Sequence, residues 1–84
     1  MTIEVFILPH SVPCERLQPE LNRLKANFPE ITLEYINVLD QPDYARVKRI
    51  KTIPTVCIKK DKLEIHRYEG WTSYESIISK MNIE

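Results

Sequence analysis

Eighty-four residues with a hydrophobic fraction of 43% make one domain, residues 1–84, close to the lower size limit for a core without a staple. Twelve basic residues balance twelve acidic ones, which excludes the basic excess expected of a nucleic-acid binder. No apolar run nears the roughly 20 residues of a membrane span, and Met1-Thr2-Ile3-Glu4 lacks the basic start of a secretory signal, so the expected setting is cytoplasmic.

Ile3 to Leu8 is a continuous apolar, β-favouring run closed by Pro9, the pattern of a strand buried on both faces. Cys14, Leu17, Leu21, Leu24 and Phe28 then recur at spacings of three and four, predicting a helix from about Pro13 to Asn27. Ser11 is placed to cap it, Pro13 suits its first turn, and Pro19 inside it should kink it. Ile31 to Val38 reads as a second strand, and Pro42 to Arg49 as a short helix with Tyr44 and Val47 facing inward. Thr55–Lys59 and Leu63–Tyr68 form a hairpin around Lys60-Asp61-Lys62, whose lysines are a solvated tip. Thr72 or Ser73 caps a last helix with Tyr74, Ile77, Ile78 and Met81 on one face. The order β-α-β-α-β-β-α predicts an α/β fold. A right-handed crossover makes the first two strands parallel, the hairpin makes the four-stranded sheet mixed, and helices cover both faces.

Two positions carry candidate chemistry. The turn between the first strand and the first helix lies at the carboxyl end of the sheet, where free N–H groups and the helix dipole stabilise a thiolate. It holds Ser11-Val12-Pro13-Cys14. A serine hydroxyl is too weak an acid to imitate a thiolate, and Cys14 on an apolar stripe reads by itself as simple core. His10 beside it is either an exposed loop residue or a source of positive charge at the helix terminus. The second position is Thr52-Ile53-Pro54-Thr55, an ordinary strand start unless a cis Ile53–Pro54 bond exposes the Ile53 backbone to an extended ligand. Cys57 is expected to be inert core. Together with His10, Cys14 and His66 it shows no paired ligand spacing, so neither a metal nor another cofactor is expected.

Taken together the chain resembles the thioredoxin/glutaredoxin superfamily. Val12-Pro13-Cys14 resembles the end of a Cys-Gly-Pro-Cys motif with Ser11, engineered or divergent, at the nucleophile's place, and Pro19 falls five residues after Cys14. Val38 to Thr55 is similar to the approach to the family's cis-proline, and Tyr68-Glu69-Gly70-Trp71 to its last glycine turn. The resemblance implies a thiol–disulfide oxidoreductase in which position 11 attacks, Cys14 resolves, and His10, Ile53, Pro54, Gly70 and Trp71 meet the substrate. It implies a disulfide-bearing protein substrate, a reductase or dithiol donor, and a monomer. The chain departs from thioredoxins at His10, where they carry tryptophan, and at Val5, where they bury an aspartate. It also lacks the Gly-Gly-x-x-Asp with which glutaredoxins hold glutathione. With Ser11 the two-thiol cycle is impaired, and the alternative is a redox-inactive adaptor holding an extended peptide at the Pro54 groove.

Overall fold

The apolar run near the amino terminus becomes β1 (Thr2–Ile7), and a helix of sixteen residues, α1 (Val12–Asn27), returns the chain to a parallel strand, β2 (Thr32–Asn37). After α2 (Pro42–Val47) come the hairpin strands β3 (Thr55–Lys60) and β4 (Leu63–Glu69), and then α3 (Tyr74–Lys80). This computed structural model describes residues 1–81, so residues 82–84 of the expected domain lie outside the described part. The strand order is β2-β1-β3-β4, with β3 antiparallel to both neighbours. The mixed four-stranded sheet expected from the sequence is therefore present.

The two faces of the sheet are packed unequally. On one face, Leu17, Leu21 and Leu24 of α1 and Tyr74 and Ile77 of α3 close over Ile3, Val5, Val56 and Ile58. Full burial of such side chains stabilises the fold by roughly 1.5–3 kcal/mol each. α1 and α3 are further joined where Glu20 Oε1 accepts the Tyr74 N–H at 2.8 Å and the Arg23 guanidinium lies 4.3 Å from the Tyr74 ring centroid. The opposite face carries a smaller cluster of Phe6, Ile36 and Cys57, covered by Tyr44 and by partly buried Val38, Ile50 and Ile53.

On this second face the sequence expectation needs three corrections. Val47 does not face inward; it is 77% exposed, while Ala45 is buried. At 100° per residue Val47 points some 200° away from Ala45, whose small side chain lets α2 approach the sheet. The helix also stops at Val47 rather than Arg49, because Arg49 adopts the left-handed conformation (φ 57°). The strand read as purely apolar, moreover, carries a carboxylate inside: Glu4 is only 2% exposed. Tyr44 donates its hydroxyl proton to Glu4 Oε2, and Lys59 Nζ lies 3.6 Å from the same oxygen, while Oε1 has no partner among the described residues.

A register shift between Ile58 and Lys59 makes Ile65 an extra residue on β4, since Ile58 pairs with His66 and Lys59 with Glu64. That irregularity lets Glu64 and Arg67, an odd number of residues apart, share one face. There they form a two-pronged ion pair, with Arg67 Nε and Nη2 at 3.0 and 2.9 Å from the two carboxylate oxygens. The hairpin turns on Asp61 and Lys62, both at positive φ (53° and 69°), which is the signature of a two-residue type I′ turn.

Candidate functional site

The turn between β1 and α1 and the loop before β3 converge at one end of the sheet. Ser11 has the extended backbone of an N-cap, and its carbonyl accepts the Glu15 N–H at 3.0 Å. Its hydroxyl makes no capping bond, contrary to the role expected of it. A cap side chain reaches the N–H of the second or third helical residue; Pro13, the second, has none, and the Ser11 hydroxyl does not bond that of Cys14, the third. The hydroxyl at position 11 is thus not committed to the helix. Cys14, the third helical residue, is half-buried with a free thiol. His10 is exposed and left-handed (φ 61°), a conformation that histidine tolerates better than most side chains.

The peptide bond between Ile53 and Pro54 is cis. Pro54 itself is buried, and its carbonyl accepts the Gly70 N–H at 2.7 Å, tying the loop before β3 to the turn after β4. Gly70 sits at φ 92°, where a side chain would be strained. The surface of this pair of loops is therefore Thr52, Ile53, Gly70 and Trp71.

These four residues face Val12, Pro13, Arg16 and Pro19 of α1 across an open groove of about 880 Å3. A second, smaller cavity of about 310 Å3 lies on the other side of the first helical turn and is bordered by His10, Ser11, Cys14, Glu15 and Gln18, with Ile7 and Leu8 behind. The first turn of α1 is thus a partition. Ile53, Gly70 and Trp71 belong to the large groove, and His10, Ser11 and Cys14 to the small cavity.

The structure fixes the place of Trp71, which the resemblance put at the substrate site, and adds Arg16, which the sequence reading passed over. Trp71, 52% exposed, donates its indole N–H to the main-chain carbonyl of Arg16 at 3.1 Å, which fixes the ring across the end of the groove. Arg16 contributes the one charged side chain of the lining. The signal was present in α1: Val12, Pro13 and Pro19 are apolar or lack a donor yet lie off the Cys14-Leu17-Leu21-Leu24 stripe, and Arg16 shares their side of the helix.

Beneath the site, Cys57 is fully buried and its thiol is pushed up to about 12, first by burial and then by the nearby Glu64 carboxylate, so it is inert as a nucleophile. The Tyr44 phenol is likewise raised to about 12, by burial and by its bond to Glu4. The Arg67 guanidinium holds the Glu64 carboxyl below the usual carboxylate range.

Comparison with known proteins gives a consistent picture. The family model described as Thioredoxin matches residues 3–83. A thioredoxin of Chlamydia caviae is 31% identical over 70 residues, covering 83% of this chain and 69% of its own length. One of Chlamydia trachomatis serovar D is 32% identical over 66 residues, 79% of this chain and 65% of the relative. Among solved structures, thioredoxin 1 from the thermophilic eubacterium Thermosipho africanus superposes with a TM-score of 0.84 at 31% identity, over 96% of this chain and 90% of that one. The oxidised mitochondrial thioredoxin 3 of Saccharomyces cerevisiae reaches a TM-score of 0.86 over 98% of this chain and 77% of its own; at 22% identity it speaks to the fold alone.

Proposed function

This chain belongs to the thioredoxin family, and from that premise we propose that it is a thiol–disulfide exchange protein whose nucleophile position is held by Ser11. The observation that carries the reading is the placement of Ser11. It stands at the junction of β1 and α1 with its hydroxyl free of the helix, three residues before a half-buried free thiol, and the cis Ile53–Pro54 loop lies at the same end of the sheet.

With a cysteine at position 11 the chemistry balances as follows. The thiolate attacks one sulfur of a substrate disulfide, a mixed disulfide forms, and the first substrate sulfur leaves as a thiolate that takes up a proton. Cys14, deprotonated, then attacks the sulfur at position 11, and the second substrate sulfur leaves. Two electrons pass from the protein dithiol to the substrate, and a reductase or dithiol donor restores the pair. Ser11 can take neither step, so the chain as it stands does not cycle.

Two free cysteines suit a reducing, cytoplasmic setting. Reduction of a protein disulfide by a dithiol donor, followed with this chain and with Ser11→Cys, tests the proposal. Activity restored only in the variant is the expected result, and silence of both would sink the exchange reading. A second reading, a non-cycling adaptor for an extended peptide, draws on the large groove, which neither Ser11 nor Cys14 lines.

A further inference from the structure

We propose that the groove between α1 and the Ile53 and Gly70 loops selects an extended peptide carrying a bulky apolar side chain next to a carboxylate. Trp71 is the wall for the apolar side chain and Arg16 the partner of the carboxylate. The proposal deepens the exchange reading, on which it rests for the peptide as substrate, by naming the sequence such a substrate presents.

Five observations converge on it. The groove is lined by aliphatic, proline and indole carbon, and its volume of about 880 Å3 is that of a site for bulky groups rather than of a packing defect. Val12 and Trp71, 57% and 52% exposed, stand on opposite sides of it, so a large apolar surface is left uncovered in one place. The Trp71 ring is held in position before any ligand arrives, because its N–H is bonded to the Arg16 carbonyl, three residues before Pro19 in α1. A wall fixed in advance loses little freedom on binding.

The remaining observations concern polarity. Ile53 lies outside the strands, and among the described residues neither its N–H nor its carbonyl has a partner, which leaves a main-chain donor and acceptor at the groove edge for an extended backbone. Arg16 is exposed and, among the described residues, makes no ion pair, unlike Arg23, Arg46 and Arg67. An unpaired guanidinium beside an apolar wall favours a carboxylate and disfavours a cation at the adjacent ligand position. The chain as a whole is neutral, so this preference is local.

Four synthetic decapeptides differing only in a central pair, Phe-Glu, Phe-Lys, Gly-Glu or Gly-Lys, test the proposal by titration calorimetry against the chain as it stands. Phe-Glu is expected to bind at least tenfold more tightly than Gly-Lys, with the other two between them. Arg16→Glu changes only the side chain and keeps the carbonyl that holds Trp71; it should reverse the order of Phe-Glu and Phe-Lys. Trp71→Ala should erase the advantage of Phe over Gly, and Trp71→Phe, which keeps an apolar wall, should retain part of it. Preferences unmoved by Arg16→Glu and Trp71→Ala would overturn the proposal, as would binding of none of the four peptides. If Ser11→Cys is redox-active while the peptides show no ranking, the exchange reading stands and the selectivity fails. If the ranking holds while Ser11→Cys is silent, the reverse is true.

Discussion

Cys57 and Cys14 show how the same side chain is given opposite fates by its surroundings. Cys57 is sealed between β1 and β4, opposite Glu4 on one side and Arg67 on the other, and keeps its proton to about pH 12. Tyr44, above the same cluster, also titrates near 12. Below about pH 8 the Cys57 thiol is protonated in folded and unfolded chains alike, so it adds no pH dependence there. Above that, the unfolded chain releases protons that the folded chain retains, and unfolding is favoured increasingly up to about pH 12. The expected outcome is a urea midpoint that falls steadily from pH 9 upward, with a shallower fall in Cys57→Ala. A midpoint independent of pH over that range would contradict the burial assigned to these two groups.

At the scale of elements, the two cap positions make a controlled comparison. The Ser73 hydroxyl accepts the Ser76 N–H at 3.1 Å at the start of α3, whereas the Ser11 hydroxyl, at the start of α1, accepts nothing from its helix. Ser73→Ala should therefore lower unfolding stability by about 1 kcal/mol, and Ser11→Ala should change it by less than about 0.5 kcal/mol, both read from urea curves. Equal losses would mean that the hydroxyl at position 11 is bound to α1 after all.

The same comparison shows where the sequence was legible. Periodicity and turn signals placed the element bounds they gave to within a residue or two, because α1 and α3 bury a regular stripe and β1 a continuous run. Periodicity failed at Val47, where a six-residue helix gives too short a period to fix a face, and at Glu4, whose burial depends on Tyr44 and Lys59 arriving from distant elements. It could not foresee the extra residue Ile65, since strand register is settled between strands and not within one. For the candidate site, His10, Ser11, Cys14, Ile53, Pro54, Gly70 and Trp71 are named through the family resemblance. Arg16 is not among them: it shares the Val12, Pro13 and Pro19 side of α1, but the groove it borders is completed by Ile53 and Trp71 from far along the chain.

For the molecule as a whole, the asymmetry of the two faces sets the order in which it loosens. α1 and α3 share a cluster of eleven buried residues with the sheet, whereas the α2 side holds three. α2 itself has one buried residue, Ala45, and is followed by the left-handed Arg49. The free energy of opening follows the local density of buried apolar contacts. Amides of Ala45 and Lys48, bonded to the Gln41 and Tyr44 carbonyls, should exchange with solvent deuterium faster than those of Val5 and Val56 in the central strands. Equal protection at these four amides would show that α2 opens only when the whole sheet does. The α1 wall of the groove is exempt from this weakness, because α1 belongs to the larger core, whereas Ile53 on the facing wall packs on the smaller one.

The position of the single indole has an optical consequence. Trp71 stands half exposed at the mouth of the groove, while Tyr44, Tyr68 and Tyr74 are packed against one core or the other. Long-wavelength excitation therefore addresses a single chromophore at the surface where ligands would arrive. In the folded chain the molecule thus carries its own optical reporter of groove occupancy, without any label added to it.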